Sequence, residues 1–284
     1  MGLERNAAAL LLKMRSDGVR FGRVVTLGRQ HAHLDLDTYG RLLARLGAPA
    51  PRAVPAYAEE AWTALGATHI DAIDASDYQG ATIVHDLNRP LPLALHAQFD
   101  LVFDGGTLEH VFDVATALKS CMELVKPHGR FVTVTVPNNW CGHGFYQFSP
   151  ELFYRALGPE NGFSIVEMYI ADVHGRRWYS VRDPAAVGAR VELCTGEPIY
   201  LLVHARRDAA RRIFAAMPQQ SDYVRDWAEP ASSPEPPRHA DAAWKTLPVI
   251  AAVRRLRQRL LARRRRRLHS LANRRFFTPA DLRI

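Results

Sequence analysis

Four residues stand where β-rich sequence gives way to turns: Gly28, Asp74, Asp86 and Asp104. A carboxylate accepts hydrogen bonds from both hydroxyls of a ribose, and a second polar strand end can orient an adenine amino group, so the set suits a nucleoside. Taken singly, each acid is also an ordinary cap for the turn or helix that follows it. The joint pattern is what points to a ligand. A second segment, Gly142-His-Gly-Phe-Tyr-Gln-Phe-Ser-Pro-Glu-Leu-Phe153, combines aromatic faces with an amide and a phenol, groups that meet the CH faces and hydroxyls of a sugar ring. The same aromatics also suit a packed lid with Phe145, Phe148 and Phe153 in the core.

Other chemistries lack their residues. The lone Gly28 is no G-x-G-x-x-G fingerprint, and no P-loop, G-x-S-x-G or H-E-x-x-H is present. Twelve histidines include His31, His33 and His143, but none has ligand spacing in the sequence, so no metal is expected. Cys121, Cys141 and Cys194 are an odd number without metal or redox spacing, which fits a reducing, cytoplasmic setting.

Positioning these residues requires a layered α/β fold. Strands are expected at Arg23 to Gly28, His69 to Ile73, Ala81 to His85, Phe99 to Phe103 and Arg130 to Val136. Helices are expected at Asp37 to Leu46, Tyr57 to Leu65, Leu108 to Val125 and Pro150 to Leu157. Strand, helix and strand joined by short turns imply a parallel sheet with right-handed crossovers, whose ligands bind at the carboxyl ends of the strands. Ser164 to Ile170 and Ile199 to Ala205 add two later strands, read as a closing antiparallel hairpin or edge. The apolar run Ala7 to Leu12, flanked by Glu4 and Lys13, does not read as a signal peptide.

With 48% apolar and 23% charged residues the chain can fill a core, which excludes wholesale disorder. Its net charge of +8 is local: residues 245–284 hold thirteen Lys and Arg against one acid, and the preceding residues hold 24 against 28. The organisation expected is a main domain over 1–217, a Pro-rich linker over 218–240 and an Arg-rich amphipathic helical tail over 241–284. From Pro248 to Phe277, Val253, Leu256, Leu260, Leu268 and Leu271 recur at roughly helical spacing among eleven arginines. Such a helix suits an anionic membrane surface, and RNA phosphates less well because aromatics are not interleaved.

The run Phe99-Asp-Leu-Val-Phe-Asp-Gly-Gly-Thr-Leu-Glu-His-Val111, followed by Leu124-Val-Lys-Pro-His-Gly-Arg-Phe-Val132, resembles the type 11 group of Rossmann-like S-adenosylmethionine-dependent methyltransferases. The resemblance spans about residues 22–205. It implies a doubly wound, mostly parallel sheet with an antiparallel C-terminal edge strand, to which the basic helical extension is added. It also implies S-adenosyl-L-methionine as cofactor. By position, Gly28 opens the cofactor loop, Asp74 takes the ribose hydroxyls, Asp86 and Leu87 meet the adenine, and Asp104 and Gly105 line the cleft floor. The chain departs from the family at Gly28-Arg-Gln-His-Ala-His33, where G-x-G-x-G is usual; Gln30 or Arg29 would then meet the methionyl carboxylate.

In methyl transfer the protein aligns the acceptor and, for a hydroxyl, removes its proton, a task suited to imidazole. His110 and His143 are the bases expected, His110 having helix-start packing as its plainer role, with Tyr146 and Gln147 positioning the acceptor. The 142–153 loop is similar to one in methyltransferase-like proteins associated with bacterial surface polysaccharides. That similarity implies a small or lipid-linked sugar acceptor at the inner membrane face. RNA methylation with the tail as phosphate anchor, and a non-catalytic scaffold with a degenerate cofactor loop, are the alternatives.

Overall fold

Successive residues of the central strands enter opposite cores, as the period of two in a β-strand requires. Val24, Leu101, Phe103, Val132 and Leu202 join one core, and Val25, Val102, Phe131, Leu201 and Val203 join the other. The computed structural model describes residues 2–228 and 267–284. The first half comprises β1 (Gly2–Leu3), α1 (Arg5–Ser16), β2 (Gly22–Leu27), β3 (His31–Ala32), α2 (Leu36–Arg45), α3 (Glu59–Ala64), β4 (Ala67–Asp74), β5 (Ile83–Val84) and β6 (Phe99–Asp104). The second comprises α4 (Val114–Leu124), β7 (Val125–Asn138), α5 (Pro150–Ala156), β8 (Phe163–Asp172), β9 (Trp178–Val181), α6 (Pro184–Val187), β10 (Ile199–Arg207), α7 (Ser221–Ala228) and β11 (Phe277–Ala280).

The main sheet runs β11-β9-β8-β10-β7-β6-β2-β4-β5. From β5 to β7 every pairing is parallel, while β10 inserts antiparallel between β7 and β8. Helices α1, α2 and α3 cover one face and α4 and α5 the other, the arrangement of a Rossmann-like fold. The order reverses at β2 and β6, so the crevice for a ligand lies over the ends of those two strands.

Four expectations are corrected. The single helix over 108–125 is a 3-10 turn at Leu108–His110 and a separate helix α4, because Asp113 caps a new start by accepting from Thr116 N at 3.1 Å. Strands β8 and β10 pair antiparallel, as a hairpin would, but β10 lies inside the sheet, hydrogen-bonded to both β7 and β8, and the antiparallel C-terminal edge strand is β11. Residues 221–228 of the expected linker form α7. The chain from residue 267 onward is no free helical tail: Phe276 and Phe277 are buried in the core and β11 pairs with β9. The basic run Arg263–Arg266 and the amphipathic pattern before it lie outside the described residues.

The apolar run Ala7 to Leu12 is the buried face of α1, whose first turn is capped by Glu4 accepting from Asn6 N and Ala7 N at 2.9 and 2.8 Å. Far along the same helix, Lys13 reaches Glu167 on β8 at 2.9 Å. Glu167 also accepts from the Tyr169 hydroxyl at 2.5 Å and faces His204 Nδ1 at 3.3 Å. Burial works against its charge, but these hydrogen bonds hold the carboxyl down at about 2. A depressed carboxyl contributes stability that is present above its unfolded value, the usual 4.5, and lost as pH falls toward 2. Glu167→Gln is therefore expected to cost about 3 kcal/mol at neutral pH and progressively less below pH 4.5. Urea unfolding of both proteins at pH 7 and pH 3 checks this, and an equal loss at both pH values counts against it.

Candidate active site

Strand β6 delivers Asp104 to the crevice, but its carboxylate turns inward. It is fully buried and accepts from Thr107 N at 2.7 Å, Leu108 N at 3.4 Å and Thr133 Oγ1 at 2.7 Å. Burial raises its pKa. The expected place of Asp104 on the cleft floor is thus corrected: both carboxylate oxygens are engaged in fastening the 105–108 turn to β7. The floor itself is backbone at Gly105 and Gly106, the latter at φ +92°.

Against that floor lies Gln30. Its amide nitrogen donates to Leu27 O at 2.7 Å and Gly28 O at 3.1 Å, and two carbonyls on that side fix which end of the amide faces them. Its Oε1 is buried without a partner, and a Cβ on Gly105 would sit 2.3 Å from it, so only glycine allows this approach. Gly28 turns the chain at φ +66°. Arg29 is committed elsewhere: it pairs with Glu59 at 2.6 Å, donates to Gln79 O at 3.2 Å and stacks 3.7 Å over the Tyr57 ring. The Gln30 amide nitrogen is spent on two carbonyls, while Arg29 has its Nε and Nη1 engaged and only Nη2 without a protein partner among the described residues. The free atom of Gln30 is an acceptor, which suits an ammonium group.

Asp74 ends β4, and its carboxylate has no protein hydrogen-bond partner among the described residues. Asp86, expected to read adenine, instead accepts from Asn88 N and Asn88 Nδ2 at 2.9 and 2.8 Å, hydrogen bonds that hold its pKa below the usual range. That is an Asx-type turn within its own loop. The Leu87 side chain is buried in the core, not presented to the crevice.

The structure brings His110 and His143 together, with ring centroids 4.8 Å apart at a near-perpendicular angle. Burial and the neighbouring His143 lower the pKa of His110. Between them stands Glu109, only 1% exposed. Its Oε2 accepts from Thr135 Oγ1 at 3.0 Å, while Oε1 has no hydrogen-bond partner and lies 3.6 Å from His143 Nε2. Burial, and then the nearby Asp104, push the Glu109 carboxyl up to about 8.

Backbone holds this corner in place. Glu109 O accepts from Phe145 N at 2.7 Å and Tyr146 N at 3.2 Å. Gly144, at φ +73°, passes so close that a Cβ would lie 2.6 Å from that same oxygen. Tyr146 and Gln147, the residues expected to position the acceptor, also help to hold the loop: the Tyr146 hydroxyl donates to Phe112 O at 2.7 Å and Gln147 Oε1 accepts from Trp140 N at 3.0 Å, while Gln147 Nε2 has no protein partner among the described residues. Of the three loop phenylalanines assigned to a lid, Phe148 and Phe153 are in the core, while Phe145 is 67% exposed.

A cavity of about 240 Å³ opens beside the corner, lined by Glu4, His33, Gly105, Glu109, Trp140, His143 and Tyr200 among others. The Trp140 and Tyr200 rings lie 5.5 Å apart, tilted by 34°, along its wall, and Trp140 Nε1 donates to Ile199 O at 3.0 Å. Glu109 escaped the sequence reading although it directly precedes His110. Glu4 and Tyr200 had no local signal, because only the tertiary fold brings the N-terminal segment and β10 to this cavity.

Asp104 and Glu109 should behave oppositely on substitution. Asp104→Ala strands three buried donors and is expected to cost about 3 kcal/mol. Glu109→Gln keeps an acceptor for Thr135 and should stay within about 1 kcal/mol of the parent. Chemical denaturation measures both, and a neutral Asp104→Ala would contradict the fastening role.

Comparison with known proteins follows the same geography. The 1,6-didemethyltoxoflavin-N1-methyltransferase of Burkholderia thailandensis, solved with 1,6-didemethyltoxoflavin and S-adenosylhomocysteine, is 17% identical, with a TM-score of 0.39 over 72% of this chain and 80% of that one. The N-methyltransferase NodS of Bradyrhizobium japonicum WM9, in complex with S-adenosylhomocysteine, is 13% identical, with a TM-score of 0.40 over 71% and 86%. An S-adenosylmethionine-dependent methyltransferase of Mesorhizobium loti is 20% identical, with a TM-score of 0.39 over 69% and 95%. No curated protein matches the chain. A family model described as a methyltransferase domain does match, over residues 57–133, the stretch that runs from just before α3 into β7.

Proposed function

We propose that this protein transfers the methyl group of S-adenosylmethionine to a hydroxyl of a small or glycan-linked acceptor. The observation that carries the reading is that the methyltransferase-domain match includes β4 and β6, the strands that bring Asp74 and Gly105 to the crevice. Two unsatisfied groups fit the cofactor there. Asp74 offers an unpaired carboxylate to the ribose hydroxyls, and the orphaned Gln30 Oε1 offers an acceptor to the methionyl ammonium. When bound, the cofactor supplies an electrophilic methyl on sulfonium. The chain's own work is to hold the acceptor and relieve it of a proton.

The acceptor is assigned to the cavity beside Glu109, His110 and His143. The aromatic walls of Trp140 and Tyr200 suit the CH face of a ring, and the polar corner suits its hydroxyl. A sugar meets both requirements, which favours O-methylation in glycan assembly over the scaffold reading. Among the described residues no helix is long and apolar enough to cross a membrane. The Arg-rich stretch is assigned, from its sequence alone, to an anionic bilayer surface.

Calorimetry of S-adenosylhomocysteine with the full chain is expected to give one equivalent of binding, weakened about tenfold or more, ~1.4 kcal/mol, by Asp74→Ala. Absence of binding to the parent protein would overturn the proposal in favour of a scaffold. With nucleotide- and lipid-linked sugars as acceptors, His143→Ala is expected to lower turnover while leaving cofactor affinity unchanged. Equal turnover in parent and variant would remove the corner from the reaction.

A further inference from the structure

Glu109, His110 and His143 present one carboxylate oxygen and two imidazole nitrogens, all within 4.8 Å of one another. This is a donor set, not a hydrogen-bonded cluster. Glu109 Oε1 is buried with no donor, and no Lys or Arg pairs with it among the described residues. A buried carboxylate oxygen left without a donor or a cation is costly, so it takes up either a proton or a bound cation. Its neighbours are fixed by backbone. The 105–108 turn sets Glu109 and His110, and the Gly144 approach locks the loop that carries His143.

We propose that Glu109, His110 and His143 form a binding site for a divalent transition-metal ion of the zinc class. Two imidazoles and one carboxylate are the ligands such ions take with one position left open, whereas magnesium and calcium call for oxygen donors. Bond lengths of about 2.0–2.1 Å place tetrahedral ligand atoms ~3.3 Å apart. The Glu109 to His143 separation of 3.6 Å already lies near that value. The remaining closure falls to the His110 ring, which is solvent-exposed and turns about its side-chain bonds without disturbing the core. The open position would face the cavity, because Glu109 and His143 both line it. The site stands on this geometry and not on methyl transfer; only its use, polarising an acceptor hydroxyl, rests on the proposed function.

Titration of metal-free full-length protein with Zn²⁺ by calorimetry, and with Co²⁺ by its visible absorption, tests the site. One equivalent is expected, with affinity falling at least tenfold in each of His110→Ala, His143→Ala and Glu109→Gln. Circular dichroism confirms folding, and His110→Ala, at an exposed position, keeps the test informative if a core variant unfolds. The stacked His31 and His33 pair, 5.5 Å apart, is the competing imidazole site, and His31→Ala should leave binding unchanged. The proposal is overturned if the parent protein binds neither ion, or if the His110 and His143 variants bind as it does. It is equally overturned if His31→Ala alone abolishes binding. S-adenosylhomocysteine binding measured with and without chelator separates this outcome from failure of the cofactor site.

Discussion

The carboxylate of Asp104 is the joint on which the active corner hangs. It sits fully buried at the end of β6 and ties two backbone amides of the next turn to a threonine on β7. Without that tie nothing in the short Gly105-Gly106-Thr107 sequence would oblige the chain to turn tightly enough to bury Glu109 three residues later. The cost of hiding one acid, expressed in its raised pKa, is offset by three hydrogen bonds. The second acid, Glu109, has only one, from Thr135. Structural support is concentrated in the first carboxylate, and the second keeps an oxygen without a hydrogen-bond partner.

The loop after β7 completes the arrangement by the same economy of backbone. One carbonyl, that of Glu109, receives two amides from the 142–147 segment, so the acid and the histidine that face each other are held by the same peptide. Side chains that look like ligand contacts in such a loop are occupied in building it, as the Tyr146 hydroxyl and the Gln147 amide oxygen show. The surfaces left for a ligand are ring faces and the few polar atoms that no internal partner satisfies.

The sheet was legible because its signals are local. Alternating apolar runs such as Arg130 to Val136 and terminal residues such as Gly28 and Asp74 announce strands and their ends directly. The site was legible only by position. His110 and His143 were identified, but whether a carboxylate turns toward a ligand or toward its own turn depends on neighbours brought by the fold. Asp86 and Asp104 turned toward their turns, while Asp74 did not. Glu109, the most deeply placed ionisable group of the corner, looked like an ordinary charged residue at a helix start. The internal position of β10 and the return of residues 277–280 to β9 are contacts between distant segments, which composition and periodicity do not encode.

The chain leaves the described residues after α7 and re-enters them at residue 267, where Phe276, Phe277 and β11 are built into the core and the sheet. β11 also supplies the hydrogen-bonding partner for one side of β9, so removing the C-terminal residues would leave a naked strand available for intermolecular pairing. The charge-rich part of the chain and the protection of the sheet margin are therefore inherited together.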